Sequence, residues 1–173
     1  APLRELEMEK TLTGIRYQML DALTKGSISQ ETTPFSVSLA LHCFVNEYVF
    51  VETKEESKLI NRLELKIFNI LETDAELLAP FLVGLACYRA LWTFSWAKLV
   101  GTRDWNKDVG RLIEQQIMQP LEEQNIKKKI RSLMPTKNII SQAVRDQYEE
   151  SPYPRWLKTM IADKPFPVAQ QIL

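Results

Sequence analysis

The stretch "TPFSVSLALHCFVNEYVFVETKEESKLINRLELKI", Thr33 to Ile67, decides the fold class. Thr33 is a residue type that accepts a hydrogen bond at a helix start, and Pro34 suits the first helical position, where a missing N–H costs nothing. Val37, Leu41, Phe44, Tyr48 and Val51 then recur every three or four residues, which is one apolar face of a helix. Leu39, Cys43, Val45 and Phe50 make other faces apolar too, so this helix is expected at the centre of the domain. Thr53 and Glu56 stand at capping-box spacing, each able to satisfy an orphan amide of a helix start. Behind them Ile60, Leu63, Ile67, Ile70 and Leu71 form another stripe of the same period.

The pattern extends in both directions. Toward the N-terminus Met8, Leu12, Ile15, Met19 and Leu23 share a helix face, and Gly26 is a natural stop. Toward the C-terminus Thr73 and Glu76 repeat the capping-box spacing ahead of Leu77, Leu78, Phe81, Leu85 and Tyr88. The segment "WTFSWAKLVGTRDWNKD" breaks the period, with a turn at Gly101-Thr102. Val109, Leu112, Ile113 and Ile117 restore it as far as Pro120, which marks a kink or a boundary. A last helix opens at Pro135-Thr136 and carries Ile139, Ile140, Ala143, Val144 and Tyr148. No strand alternation of useful length occurs, and the helix spacing mismatches a tetratricopeptide repeat of about 34 residues. The reading is an all-α single domain of about six to eight antiparallel helices over residues 1–150. Residues 151–173 read as an extended Pro-rich strap followed by a linker or short terminal helix.

Of the 173 residues 45% are hydrophobic, enough to bury a core, while 22 Lys and Arg balance 22 Asp and Glu. A neutral chain lacks the electrostatic drive of a nucleic-acid binder. It also lacks the net charge that keeps many small domains apart, which favours a chain that sits against another surface, a homodimer included. The longest uncharged apolar run, Leu77 to Tyr88, is 12 residues with Pro80 inside it, short of the roughly 20 that a membrane span needs. Cys43 and Cys87 each lie in an apolar helical pattern, as expected for buried thiols in a reducing compartment, the cytoplasm.

No catalytic constellation declares itself. His42 is the one histidine, without cysteine or acid at ligand spacing, so it reads as a half-buried helix residue. Cys43 beside it reads as a core cysteine, because no nearby cation in the sequence would activate it. The pairs Glu55-Glu56, Glu122-Glu123 and Glu149-Glu150 are neighbours on helices, about 100° apart, and do not converge. "KKKIR", Lys127 to Arg131, reads as a solvated helix face.

Two segments invite a partner. In "HCFVNEYVF", His42 to Phe50, Asn46, Glu47 and Tyr48 lie within a strongly apolar run. Such polar groups either turn outward or pair inside, by bonding neighbouring helix ends or by lining a partner-facing groove. In "QYEESPYPRW", Gln147 to Trp156, Pro152 and Pro154 forbid a helix and extend Ser151 and Tyr153. Tyr153 and Trp156 then share a side of a stiff segment, and Arg155 can stack on a ring or clamp a carboxylate. The strap either fastens its own helices or docks on a neighbour at low ordering cost.

That strap resembles a segment of bacterial tetratricopeptide-repeat proteins fused to class I S-adenosylmethionine-dependent methyltransferases, which commonly reads QYEENPYPRW. Ser151 is the one departure over these ten residues. "CFVNEYVF", Cys43 to Phe50, is similar to the same family's helical region, which lies between the repeats and the methyltransferase domain. The resemblance implies a non-catalytic accessory or interaction domain that positions the methyltransferase or binds its protein substrate. Contact with the adjoining domain would fall to Asn46, Glu47, Tyr48, Tyr148, Glu149, Tyr153, Arg155 and Trp156, with Pro152 and Pro154 supplying stiffness. S-adenosylmethionine is implied only for the adjoining domain: Gly14, Gly26, Gly84, Gly101 and Gly110 are too scattered for a dinucleotide-type glycine loop, so no cofactor is expected on this chain. The alternatives are a stand-alone protein-interaction or dimerisation scaffold and an enzyme in its own right.

Overall fold

The computed structural model describes residues 6–26, 33–130, 142–144 and 147, and all of its regular structure is helical. Seven α-helices occur among the described residues. Helix α1, Leu6–Lys25, has Glu7 and Glu9 in its first turn and Lys25 in its last, charges that complement its dipole, and it stops at Gly26 with φ 72°. Helix α2, Pro34–Val45, starts as its sequence suggests. Thr33 Oγ1 accepts from the Ser36 amide at 3.2 Å, and Ser36 Oγ accepts from the Thr33 amide at 3.1 Å. Helix α3, Lys54–Ile70, opens on the expected box, with the Glu56 amide on Thr53 Oγ1 at 3.2 Å and the Thr53 amide on Glu56 Oε2 at 2.8 Å.

Two expectations are corrected at helix ends. Asp74 rather than Thr73 caps α4, Ala75–Ala86, accepting from the Glu76 amide at 2.8 Å, while Thr73 Oγ1 donates back to the Ile70 carbonyl at the end of α3. A carboxylate one residue nearer the helix displaces the hydroxyl. Helix α2 ends at Val45, so Tyr48 and Val51 do not continue its stripe.

After a 3₁₀ turn at Leu91–Thr93 comes the short α5, Ala97–Gly101, and the rings of Phe94 and Trp96 stack between them at 4.8 Å. Asn106 caps α6, Lys107–Ile113, which runs through a π-helical stretch, Glu114–Met118, into α7, Gln119–Lys129. Pro120 explains the wide turn. It has no N–H, and its ring would clash with the carbonyl four residues back, that of Gln116. The backbone opens instead, and the Gln119 amide reaches Glu114 O. Pro120 is thus neither a boundary nor a sharp break.

Helix α1 packs on α3 and α4, and α2 packs on α4 and α6. Gly84 lets Leu23 of α1 press on the α4 backbone, where any side chain would collide with it. One apolar core joins all seven helices or their neighbours, with Leu20, Ile60, Leu63, Ile67, Leu78, Leu82, Leu112 and Ile117 fully buried. Residues 142–144 and 147 are helical, which agrees with helix around Ala143 and Val144. Tyr148, Glu149, Pro152, Tyr153, Pro154, Arg155 and Trp156 lie outside the described residues.

Candidate functional site

Asn46, Glu47 and Tyr48 come together at the exit from α2, where they build its C-terminal cap. The Tyr48 amide reaches back to Cys43 O at 3.0 Å and the Glu47 amide to Phe44 O at 3.1 Å, the two reversed bonds of a Schellman motif. That motif requires a left-handed residue just past the cap and usually takes glycine there. Glu47 fills the position with φ 51°, and Tyr48 follows with φ 56°. Asn46 is buried, and its Nδ2 donates to the His42 ring, 3.0 Å from Nε2. Burial holds the His42 pKa below its ordinary value, which keeps the imidazole an acceptor for that bond. Tyr48 packs edge-on against Phe44 and sends its hydroxyl to Gln116 Oε1 at 3.4 Å.

The chain from this cap to α3 alternates. Val49 and Val51 are 64% and 75% exposed, while Phe50 between them turns inward. Hydrogen bonds hold the segment at Val51, Glu52 and Thr53. Arg16 Nη2 donates to Val51 O at 2.8 Å. Arg89 forks onto both oxygens of Glu52 at 2.7 and 2.9 Å, and Ser57 adds a third bond to that carboxylate at 2.7 Å. The Arg89 guanidinium holds the Glu52 carboxyl below its ordinary pKa, and the same pairing raises Arg89. Thr53 is then fixed by its capping box. The result is a short apolar edge on a backbone with little freedom left.

Behind the edge lies a cluster that the sequence reading missed. Arg16 is 2% exposed and Glu56 is equally buried. The guanidinium lies 4.2 Å from the Tyr88 ring centroid and 5.4 Å from that of Phe50, with Nη2 at 3.5 Å from Glu56 Oε1. Tyr88 donates to the same oxygen at 2.9 Å, and burial pushes its phenol pKa up. Arg16 Nε is buried with no hydrogen-bond partner among the described residues. Cys43 and Cys87 are both free and buried, and Cys87 Sγ donates to Val83 O at 3.4 Å. Cys87, and then the Arg16 charge, pull the Cys43 thiol down, while Cys43 and burial push Cys87 up. The expectation that no cation stands near Cys43 is therefore corrected: Arg16 arrives from α1. A signal existed, since Arg16 lies four residues from both Leu12 and Leu20 on the buried line of α1.

Gln116, at the middle of the π-helical stretch, ties this region to the rest. It is fully buried and its Nε2 donates to Ala40 O and Ala86 O, each at 3.1 Å. Its Oε1 accepts from the Leu91 amide and from Tyr48 Oη. Among the described residues no group of three or more His, Cys, Asp or Glu side chains is placed to hold a metal, and no helix is long and apolar enough to cross a membrane. No family model, curated protein or solved structure matches the chain.

Proposed function

We propose that this chain is a non-catalytic helical accessory domain whose α2–α3 edge docks on a protein, namely an S-adenosylmethionine-dependent methyltransferase domain that adjoins it. The observation that carries the reading is the edge itself: exposed Val49 and Val51 on a backbone clamped through Val51 O, Glu52 and Thr53. Exposed apolar side chains on a preordered backbone lose little entropy on docking, which is what an interaction edge needs. The resemblance of both "CFVNEYVF" and "QYEESPYPRW" to the methyltransferase-linked family supports the choice of partner. In this reading Asn46, Glu47 and Tyr48 shape the edge. Tyr148, Glu149, Tyr153, Arg155 and Trp156 add contacts along a strap stiffened by Pro152 and Pro154. The cofactor belongs to the partner domain.

The test is calorimetric binding of this chain to a separately purified methyltransferase domain of the fused family. Val49→Asp with Val51→Asp should weaken binding at least tenfold, about 1.4 kcal/mol. Both sites are exposed, so the unfolding midpoint should stay within about 0.5 kcal/mol of the parent. Arg155→Ala with Trp156→Ala should weaken the same binding. Unchanged affinity in both variants, with intact folds, would overturn the reading.

A second reading, a homodimerisation scaffold, is favoured by Leu65 and Phe68, one turn apart on α3 and 67% and 65% exposed. Light scattering over rising concentration separates the two. A tight dimer disrupted by Phe68→Glu supports the scaffold.

A further inference from the structure

We propose that the outer face of α3 pairs with the same face of a second copy of this chain, antiparallel about a two-fold axis, with Leu65 of each copy against Phe68 of the other. The inference rests on the homodimer reading above and gives that dimer its face, its register and its orientation.

Helix α3 turns Leu59, Ile60, Leu63 and Ile67 into the core and its opposite side to water. Leu65 and Phe68 stand exposed on that opposite side, one turn apart. Exposed apolar side chains are ordinary on a protein surface when taken singly. What singles out this pair is a charge at each end of it. Arg62 lies one turn before Leu65 and Glu72 one turn after Phe68, and both are exposed. Helix α3 ends at Ile70, but Leu71 keeps helical dihedrals, φ −55° and ψ −32°, so Glu72 stands where the helix would place it. Neither charge has an ion pair or a hydrogen bond among the described residues. They cannot meet each other within one chain, because ten residues of helix hold them about 15 Å apart.

A second copy brings them together in one orientation only. Laid parallel, α3 on α3 sets Arg62 against Arg62 and Glu72 against Glu72. Laid antiparallel, with the axis midway between Leu65 and Phe68, it sets Arg62 of each copy beside Glu72 of the other, so the ion pair forms twice. The same register stacks Leu65 on Phe68 twice at the centre, as the alternating layers of two helices crossing at about 20° require. Asn61, on the same exposed stripe, then falls level with Glu72 of the other copy and can donate its side-chain amide to that carboxylate. One patch thus carries both halves of every contact, which is the condition for a two-fold interface between identical surfaces. A chain with 22 basic and 22 acidic residues adds no net repulsion between copies.

Sedimentation of the full chain over rising concentration reads the dissociation constant. Arg62→Glu sets acid against acid at both ends of the contact and should raise that constant about tenfold, and Glu72→Arg, which sets cation against cation, should do the same. The chain with both reversals has opposite charges again and should return to within about threefold of the wild type. Neither reversal weakens α3 itself. A glutamate in place of Arg62 stands four residues from both Lys58 and Lys66, and an arginine in place of Glu72 suits a helix C-terminus. Circular dichroism checks that helix content is kept. A dimer indifferent to both single reversals, as parallel pairing predicts, would overturn this face and orientation while leaving a homodimer in place. Losses that add in the double variant would overturn the pairing of Arg62 with Glu72. A chain still monomeric at about 1 mM, where even a small interface associates, would overturn the homodimer reading as well. Loss of methyltransferase-domain binding in Arg62→Glu, without self-association of the wild type, would give the face to that domain instead of a second copy.

Discussion

A guanidinium at 2% exposure is tolerable only where its donors find acceptors and its charge finds a counter-charge. Arg16 meets that condition in part: Nη2 reaches Val51 O and Glu56, and the faces of Tyr88 and Phe50 cover the guanidinium, while Nε has no partner among the described residues. Removing Arg16 leaves the Glu56 charge with its hydrogen bonds from Tyr88 and Thr53 but without its counter-charge, and breaking a buried pair costs about 3–5 kcal/mol. Arg16→Met should therefore lower the stability read from urea unfolding by about 3 kcal/mol or more, although methionine fills much of the volume. Arg16→Met together with Glu56→Gln should cost less than the sum of the two single changes, because the second change removes a charge already stranded by the first. Additive costs would show that the two groups are not coupled. Little of this was legible in the sequence. The spacing puts Arg16 on the buried line of α1, but a long side chain there reads equally well as one that runs along the helix edge to water. Its partners, Val51 and Glu56, lie 35 and 40 residues away, and no periodicity brings them in.

At the scale of elements, apolar period located α1 to α4 and the run that begins with α6, missed the short α5 inside the segment where the period breaks, and overran the end of α2. Tyr48 and Val51 fall at helical intervals after Phe44, so by spacing alone the stripe reads on past Val45. What stops it is a Schellman cap with no glycine to announce it. Asp74 hides the start of α4 in a similar way, because Thr73 beside it offers the more familiar spacing. Helix bodies are legible because they repeat; caps are decided by which of two adjacent polar residues reaches the amide. The left-handed Glu47 carries a backbone cost of about 1 kcal/mol that glycine would not. Glu47→Gly should raise the thermal unfolding midpoint, by an amount equivalent to about 1 kcal/mol in stability. A lowered midpoint would mean that the Glu47 side chain contributes more to the turn than its backbone costs. If the edge is used for docking, the same variant should bind its partner more weakly despite greater stability, since a glycine there loosens the backbone that presents Val49 and Val51.

For the whole molecule the all-helical class follows from periodicity alone, yet what holds the halves together does not. The adjacent glutamines Gln115 and Gln116 are indistinguishable by residue type. Their roles are set by the π-helical opening upstream of Pro120, which turns Gln116 into the core. There it serves the last carbonyl of α4, the first amide of the 3₁₀ turn, a carbonyl of α2 and the Tyr48 hydroxyl. Those groups lie up to 76 residues from Gln116 along the chain. Gln116→Leu keeps the volume and removes every one of these bonds. The Leu91 amide and the Ala86 carbonyl would then be buried and unpaired, at about 1–3 kcal/mol each. Urea unfolding should show a loss of about 3 kcal/mol and still a single transition, because the same residue bridges α2, α4 and α6–α7. Gln115 is the internal control. Its Oε1 is buried with no partner among the described residues, so an apolar replacement strands nothing. Gln115→Leu should lie within about 0.5 kcal/mol of the parent, or above it. Equal losses at both positions would mean that the cost comes from filling the wide turn with leucine. A loss confined to Gln116 would show that one amide joins the two ends of the fold and, through Tyr48, anchors the edge proposed to dock.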